Sequence, residues 1–358
     1  MTDISEEVLL RREGRAGRIT LNRPKALNAL TLDMVRRITP VLTAWAGDPR
    51  IEHVVLDGAG DRALCAGGDV LSLYSSRVEG SAGARTFWRE EYALNAAIHR
   101  FSKPFIPIMH GIVMGGGIGL SAHAQGGTRV VTERSRIAFP ETSIGLIPDV
   151  GGTWLLSRAP AETGPYLSLM GAPMNAADAL FTGFADVYVP STKIPDLIAR
   201  LCDAGAPAKS VLASMAESAG PSDLAGTLQA NLAAFFGFET VEDIRAALQR
   251  DGGDWANKTL ADLASRSPTA RKTTLAALRN ARKLRSLEEA LNIEFLLCTN
   301  LYEDGEFIEG VRALLVDKDK APKWKPATLE AVTAERVARQ FAALADGDAL
   351  TLQAPGAA

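Results

Sequence analysis

Apolar residues in the first half of the chain fall in short runs that predict buried strands, and helical patterns follow these runs. The clearest runs are HVVLDG (53–58) and the segment from Phe105 to Met114. A helical pattern covers residues 84–101. After about residue 192 the strand signals end, and Ala, Leu, Glu and Arg recur at helical spacing. The pattern predicts an α/β fold, with a core over residues 1–205 and a mainly helical region over residues 206–358.

Local signals place further elements. Thr31 has the position of an N-cap for a helix that runs toward Trp45, and Pro40 within that helix predicts a kink or a boundary. Longer helical patterns cover residues 153–170 and 174–182. Short strands are predicted at 18–21, 129–132, 136–139 and 185–189.

Two glycine turns each stand between a predicted strand and a predicted helix. One contains Gly67 and Gly68 in LCAGGDV (64–70), and the other is the triple glycine at 115–117. Without Cβ atoms, backbone N–H groups can approach a ligand closely, and a helix N-terminus adds partial positive charge. One N–H group from each turn would suit the stabilisation of an oxyanion. Tight turns without a chemical role are the simpler explanation for either turn by itself.

Two acids lie in the apolar loop PETSIGLIPDVGG (140–152). They are Glu141 and Asp149, and their neighbours are mostly apolar. We therefore expect buried carboxyl groups with raised pKa values, suited to acid–base or nucleophilic chemistry. Acids on a solvated surface loop are the alternative. Glu91, in WREEY (88–92), stands beside another acid in a predicted helix, and the pattern alone predicts that it is solvated.

The second glycine turn also permits a different function. Gly117, Gly119 and Ala122 fit the G-x-G-x-x-A pattern of a dinucleotide-binding turn, and Glu141 follows about twenty residues later. This acid does not lie plainly at a strand end, and the first glycine turn is left without a role. A nicotinamide-dependent dehydrogenase is therefore a remote alternative. The histidines have no metal-ligand spacing and no Gly-x-Ser-x-Gly motif occurs, so we expect neither zinc chemistry nor a serine nucleophile.

Composition narrows the class of protein. Of the 358 residues, 47% are hydrophobic and 23% are charged, which is a globular profile. The net charge of −3 gives no basic excess for nucleic acid or an anionic membrane. The three cysteines have no CxxC spacing, and the N-terminal segment lacks the apolar stretch of a secretory signal. We expect a soluble, cytoplasmic protein with no metal, nucleic-acid partner or membrane partner. A homo-oligomer is left open.

The order of four motifs resembles the crotonase superfamily, also called the enoyl-CoA hydratase/isomerase family. The motifs are GRITLNRPKALNAL (17–30), LCAGGDV (64–70), HGIVMGGGIGLS (110–121) and FPETSIGLIPDVGGT (139–153). The resemblance implies a crotonase-like spiral of strand-strand-helix units that binds an acyl-CoA. It implies that the N–H groups of Gly68 and Gly116 form the oxyanion hole. It also implies that Lys25, Ala26 and Leu27 line the adenine pocket of CoA.

One departure from the family pattern changes the expected reaction. Hydratases of this family have one catalytic glutamate at the position of Gly119 and another at that of Glu141, so two-carboxylate hydration is not expected here. Asp149 stands where hydratases usually have glycine. This replacement resembles the branch of the family that hydrolyses 3-hydroxyisobutyryl-CoA in valine breakdown. Three further segments resemble the same branch: WREEY, SPTA (267–270) and EGVRALLVDKDKAPKWKP (309–326).

That resemblance implies a role for each acid. Glu141 would act as nucleophile or as general base, and the sequence does not choose between the two. Asp149 would orient water or protonate the leaving group, and Glu91 would bind the hydroxyl group of the substrate. Coenzyme A is part of the substrate, and no other cofactor is implied. The alternatives are a hydratase or isomerase that uses Glu141 alone, and a non-catalytic acyl-CoA-binding protein.

Overall fold

Strands and helices alternate in the first half of the chain, and helices alone follow. The computed structural model describes residues 6–80, 82–203, 205–344 and 347–354. The strands are β1 (Val8–Glu13), β2 (Ala16–Leu21), β3 (His53–Gly58), β4 (Ala63–Cys65), β5 (Phe105–Met109), β6 (Ile112–Met114), β7 (Val130–Val131), β8 (Arg136–Ala138) and β9 (Val187–Tyr188). The helices up to residue 192 are α1 (Leu32–Gly47), α2 (Val70–Val78), α3 (Gly83–His99), α4 (Gly116–Ser121), α5 (Gly152–Arg158), α6 (Thr163–Met170) and α7 (Ala176–Phe181).

The later part of the described chain is helical, as the sequence predicted. Its helices are α8 (Ile194–Cys202), α9 (Ala208–Met215), α10 (Thr227–Phe236), α11 (Val241–Asp251), α12 (Asp254–Ala264), α13 (Pro268–Ala281), α14 (Leu287–Glu303), α15 (Glu306–Val311) and α16 (Ala334–Gln340). A π-helical turn, Arg312–Val316, follows α15, and 3₁₀ turns include Pro24–Ala26, Glu141–Ile144 and Pro160–Glu162.

The strands form two sheets in which parallel pairing dominates. The six-stranded sheet has the order β1-β2-β3-β5-β7-β9, and only β1 and β2 are antiparallel. The three-stranded sheet has the order β4-β6-β8. A parallel sheet needs cover on both faces, and β3 is accordingly buried from His53 to Asp57. The predicted α/β class is confirmed.

Three element predictions need correction, each for a local reason. The predicted single strand from Phe105 to Met114 is two strands, because Gly111 with φ of 69° turns the chain between them. Helix α1 continues past Pro40 to Gly47, because the same buried face includes Met34 before the proline and Leu42 after it. The helix predicted over residues 153–170 is two helices, separated by the 3₁₀ turn that starts at Pro160.

The described chain forms two compact units, and each unit draws on three segments. The described residues of Met1–Asp69, Ala93–Ile137 and Met174–Asp223 form unit 1. Those of Val70–Tyr92, Ala138–Pro173 and Leu224–Ala358 form unit 2. The change in sequence character was predicted at about residue 192, and the domain boundary predicted at residue 205 stays a prediction.

Helices α8 and α9 cover the six-stranded sheet within unit 1. Leu197 of α8 and Leu212 of α9 belong to the same buried cluster as Val55 of β3 and Ile106 of β5. The nearly apolar stretch over residues 105–124 contains β5, β6 and α4. Across the described ranges, no helix is long and apolar enough to cross a membrane.

An aromatic cluster joins α3, α14 and α15 within unit 2. It consists of Trp88, Tyr92, Phe295, Tyr302 and Phe307, which are all buried. Trp88 meets Tyr302 edge to face with ring centroids 5.5 Å apart, and Tyr92 meets Phe295 in the same way at 6.4 Å. Such pairs contribute about 0.5–1.5 kcal/mol each beyond their burial. The cluster therefore fixes the part of α3 that carries WREEY.

A close backbone approach in unit 2 requires glycine. A Cβ atom on Gly310 of α15 would lie 2.4 Å from the Cα atom of Ile144, in the 3₁₀ turn that begins at Glu141. Gly310 belongs to the EGVRA part of the C-terminal motif. One structural role of that motif is therefore to pack closely against the Glu141 turn.

Gly310→Ala is expected to lower the free energy of unfolding by about 1–3 kcal/mol, because the added methyl group overpacks this contact. Denaturant unfolding measures the change. Gly47→Ala is the control, since a Cβ atom there meets nothing within 4 Å, and we expect it to be neutral or slightly stabilising. Equal stability of the Gly310→Ala variant and the unmodified protein would contradict the close approach.

Candidate active site

The two glycine turns are neighbours within unit 1. Strands β4 and β6 run parallel, with Ala63 opposite Ile112 and Cys65 opposite Val113. The carboxyl ends of parallel neighbours lie at the same edge of a sheet, so the turns that follow them lie side by side. A Cβ atom on Gly117 would be only 2.3 Å from the carbonyl oxygen of Cys65. The structure thus brings together the two turns that the sequence singled out.

The backbone around these turns leaves two N–H groups outside the regular hydrogen-bond pattern. The carbonyl of Gly67 accepts from the N–H of Leu30 at 2.8 Å, and the N–H of Asp69 donates to the carbonyl of Leu30 at 2.9 Å. This bridge does not use the N–H of Gly68. Gly116 is the first residue of α4, where an N–H group has no acceptor within the helix. Both groups are donors of the kind that an oxyanion hole uses.

The segment predicted to line the adenine pocket lies beside the first turn. Lys25 and Ala26 are exposed in a 3₁₀ turn, and Leu27 follows with φ of 51°. The carbonyl of Leu27 accepts from the N–H of Ala66 at 3.0 Å. The structure therefore places this segment near Gly68 within unit 1, and its contact with CoA stays a prediction.

Unit 2 brings the three predicted acids together. Glu91 lies on α3, Glu141 begins a 3₁₀ turn, and Asp149 precedes α5. They are only 2%, 5% and 6% exposed, respectively. Burial is the largest cause that raises the pKa of both Glu91 and Glu141, and the charge of Asp149 is the second largest. The pattern alone predicted a solvated Glu91, and this is wrong because the aromatic cluster buries that part of α3.

Burial is the largest cause of the raised pKa values. It raises the pKa of Asp149 from 3.8 to about 6, although a hydrogen bond from Tyr92 acts in the opposite direction. It raises the pKa values of Glu91 and Glu141 well above 4.5. In the part of the chain that the structure describes, Glu91 Oε1 and Glu141 Oε2 have no hydrogen-bond partner. Unsatisfied buried carboxyl oxygens reduce stability, and perturbed acids of this kind are concentrated at functional sites.

Tyr92 is a site residue that the sequence argument missed. Its hydroxyl group donates to Asp149 Oδ2 at 2.6 Å and lies 3.5 Å from the Sγ atom of Cys298 on α14. Burial and the nearby Asp149 raise the pKa of Tyr92 well above 10, so the phenol keeps its proton. Tyr92 belongs to the quoted motif WREEY, but a one-dimensional pattern gives no sign that it contacts a loop 57 residues away.

Glu294 of α14 is the second missed residue. Its Oε2 atom accepts from the N–H of Gly151 at 2.6 Å. Its Oε1 atom accepts from the N–H of Thr153 at 2.8 Å and from the Thr153 hydroxyl group at 2.5 Å. Burial raises the pKa of Glu294 to about 8, although these donors favour the charged form. The sequence offered no signal, because 143 residues separate Glu294 from Gly151.

The predicted absence of a metal stays a prediction. Over the described residues, no group of three or more His, Cys, Asp and Glu side chains has an arrangement that could hold a metal ion.

Parallel sheets with paired glycine turns, together with a set of buried acids, define an α/β protein with the parts of an acid–base enzyme. Residues 16–341 match the family model described as enoyl-CoA hydratase/isomerase. The chain belongs to this family, and the predicted family is confirmed.

Relatives of this chain include both curated proteins and solved structures. The chain is 41% identical over 355 residues to "3-hydroxyisobutyryl-CoA hydrolase, mitochondrial" of Homo sapiens, a match that covers 97% of this chain and 91% of the relative. The Danio rerio protein of the same name is 40% identical over 96% of this chain and 91% of its own length. A crystal structure titled as a carnitinyl-CoA dehydratase from Mycobacterium thermoresistibile has a TM-score of 0.91 at 44% identity, covering 97% and 99% of the two chains.

A second solved structure agrees on the fold. It is titled as an enoyl-CoA hydratase from Rhodobacter sphaeroides 2.4.1, with a TM-score of 0.89 at 42% identity, covering 97% of this chain and 100% of that one. These likenesses confirm the predicted crotonase-like fold with a helical C-terminal region.

The predicted cytoplasmic location is wrong by the same comparison, because the curated relatives are named as mitochondrial proteins. The prediction rested on the absence of a secretory-type signal. That observation bears on the secretory route and says nothing about mitochondria.

Asp149→Asn tests the electrostatic description of the acids without any assay of activity. The pKa of Asp149 in the folded protein is about 6, above the ordinary value of 3.8. The contribution of Asp149 to the free energy of unfolding is therefore fully present below pH 3.8, and it is lost as pH rises through 6. The asparagine variant does not ionise. We expect it to gain up to roughly 3 kcal/mol over the unmodified protein between pH 4 and pH 8.

Denaturant unfolding at several pH values measures this difference. Asp186→Asn is the control of opposite sign. Although burial raises the pKa of Asp186, hydrogen bonds from Arg129 lower it overall, so this variant should lose stability relative to the unmodified protein as pH rises. A pH-independent difference for Asp149→Asn would contradict the raised pKa.

Proposed function

We propose that this protein hydrolyses the thioester of a short 3-hydroxyacyl-CoA, with 3-hydroxyisobutyryl-CoA as the substrate. Water adds to the acyl carbon, the carbon–sulfur bond breaks, and 3-hydroxyisobutyrate and the CoA thiol are released, a step of valine breakdown. The proposal is supported by curated relatives of that name, which are about 40% identical over nearly the whole chain. The names of these relatives are the basis for the proposed substrate, and the buried acids and glycine turns are the basis for the proposed mechanism.

The observation that carries the route is the buried pair Glu141 and Asp149 in unit 2. Thioester hydrolysis requires a polarised carbonyl group, a nucleophile or base, and a proton for the departing thiolate. In this proposal the N–H groups of Gly68 and Gly116 hold the thioester oxygen. Each such donor is typically worth roughly 10²–10³ in rate.

Glu141 has two roles open to it. As a nucleophile, its carboxylate attacks the acyl carbon, the carbon–sulfur bond breaks and the CoA thiolate leaves, and water then cleaves the resulting mixed anhydride to regenerate the acid. As a general base, it removes a proton from the water that attacks the same carbon. Its Oε2 atom has no partner among the described residues and is available for either role. The raised pKa makes the charged fraction of Glu141 a stronger base.

Asp149 and Glu91 have distinct roles in the proposal. With a pKa of about 6, Asp149 can both hold and release a proton near neutral pH, so it suits the protonation of the leaving thiolate or the orientation of water. Its Oδ2 atom is held by the Tyr92 hydroxyl group. Glu91 would bind the 3-hydroxyl group through its Oε1 atom, which has no hydrogen-bond partner among the residues that the structure describes.

Hydration or dehydration is the second candidate function. Two solved structures at 44% and 42% identity are titled as a carnitinyl-CoA dehydratase and an enoyl-CoA hydratase. Against this reaction stands Gly119, which lies buried in α4 at the position where the family's hydratases carry one of their two glutamates. Glycine cannot hold or deliver a proton, so only Glu141 would remain for that chemistry.

The reaction itself is tested with two substrates. Incubation with 3-hydroxyisobutyryl-CoA should release free thiol, which a chromogenic disulfide reagent detects, and crotonyl-CoA should lose little or none of its double-bond absorbance. Thiol release with inert crotonyl-CoA supports the hydrolase. Rapid hydration of crotonyl-CoA, with no thiol from the hydroxy ester, would select the second candidate.

Glu141→Gln separates chemistry from binding, because it keeps the shape of the side chain and removes its charge. We expect kcat for thiol release to fall at least roughly 10²-fold while KM and the affinity for CoA esters stay close to those of the unmodified protein. A retained kcat with a raised KM would reassign Glu141 to substrate binding. The dehydrogenase alternative instead requires tight NADH binding, which a fluorescence titration measures directly.

A further inference from the structure

We propose that Glu294 is a positioning residue whose side chain clamps the turn from Asp149 to Thr153 and thereby fixes Asp149. The proposal rests on the proposed function for what Asp149 does, and on the contacts of unit 2 for how it is held. Both carboxyl oxygens of Glu294 are engaged by this turn, through Gly151 and Thr153.

The clamp takes the place of a cap that helix α5 lacks. The N-cap residue of α5 is Gly151, which has no side chain that could accept from the first N–H groups of the helix. Glu294 reaches this end from α14 and accepts from the N–H groups of Gly151 and Thr153. In its ionised form, Glu294 also interacts favourably with the helix dipole. The first turn of α5 therefore depends on a residue from a different helix.

The clamped turn contains backbone strain. Val150 has φ of 53°, a left-handed conformation that is unusual for a β-branched residue. Such a conformation typically costs about 1–3 kcal/mol and persists only where the surrounding contacts enforce it. The carbonyl of Asp149 accepts from the N–H of Gly152 at 2.6 Å and closes the turn over Val150. Without Glu294, Val150 would favour relaxation of this turn.

Asp149 is consequently fixed at two points. The Tyr92 hydroxyl group holds its side chain, and Glu294 holds the backbone that follows it. Glu294 and Cys298 lie four residues apart on one face of α14, and Cys298 contacts the same Tyr92 hydroxyl group. One face of α14 thus contacts both the turn, through Glu294, and the Tyr92 hydroxyl group, through Cys298.

Glu294 holds the turn and does not act on the substrate itself. Each of its oxygens already accepts from a donor of the turn, whereas Glu141 has an oxygen without a partner in the described part of the chain. Catalytic groups need to be held to within about 0.5 Å of the productive geometry. Loss of the clamp should therefore reduce kcat and leave KM largely unchanged, because Asp149 is assigned to chemistry and not to binding.

Thr153→Val provides the mildest test, since it removes one donor of the clamp with almost no change in shape. We expect a fall of about 3- to 10-fold in kcat for 3-hydroxyisobutyryl-CoA at an unchanged KM. Thr274→Val is the matched control. Thr274 is equally buried in α13, and its hydroxyl group has no partner among the described residues, so kcat and KM should be unaffected. Equal kinetics for the two valine variants would overturn the proposal.

Glu294→Gln is the stronger variant, because its amide NH₂ group, unlike a carboxyl oxygen, cannot accept from the N–H of Gly151. We expect a fall of at least roughly 10-fold in kcat. Glycine adopts a φ of 53° without strain, so adding Val150→Gly should restore at least about threefold of the lost kcat. The melting temperature shows whether the double variant is folded. If it is folded and kcat does not recover, the clamp is overturned, because a role of Glu294 in packing alone predicts a further loss of kcat.

Amide hydrogen exchange separates failure of the clamp from failure of the proposed function. If the unmodified protein releases no thiol, the proposed hydrolysis is wrong, but the clamp still predicts protected N–H groups at Gly151 and Thr153. Glu294→Gln should accelerate their exchange at least roughly tenfold, and Thr274→Val should leave it unchanged. Unchanged exchange in Glu294→Gln would overturn the clamp whatever the reaction is.

Discussion

The burial of several carboxyl groups in unit 2 has an electrostatic cost that the surrounding residues must offset. Charged groups lose the solvation of water when they are buried, and a protein offsets that loss with hydrogen bonds, with opposite charge or by keeping the acid protonated. Asp149 receives a hydrogen bond from Tyr92, and Glu294 receives three from Gly151 and Thr153 at the start of α5. Glu91 and Glu141 each retain an oxygen without a described partner. Such groups reduce stability, and their retention is understandable where a ligand contacts them.

The rest of unit 2 keeps these acids in place. The aromatic cluster around Trp88 fixes the segment of α3 that carries Glu91 and Tyr92. Gly310 allows α15 to pack directly on the 3₁₀ turn of Glu141. Motifs far apart in the sequence therefore converge on the same few acids, and the C-terminal helical region contributes to the site through α14 and α15.

The sequence predicted those candidate functional groups whose signal is local. Both glycine turns were visible because glycine repeats between a strand and a helix, and Glu141 and Asp149 were visible because apolar residues surround them. Glu91 required the family resemblance, since neighbouring acids in a helix are usually solvated. Tyr92 and Glu294 could not be found, because their roles arise from contacts across 57 and 143 residues. The same limit applies to the pairing of β4 with β6, which makes the glycine turns neighbours.

Burial should leave a proton on Glu294 at neutral pH, where an ordinary glutamate has lost it, because burial raises its pKa to about 8. Infrared spectroscopy in D₂O measures this directly through the carbonyl stretch of protonated carboxyl groups. We expect this band to persist at neutral pD and to weaken in the Glu294→Gln variant, because the pKa of Glu294 is raised to about 8. A spectrum without the band at neutral pD, identical for the unmodified protein and the variant, would contradict it.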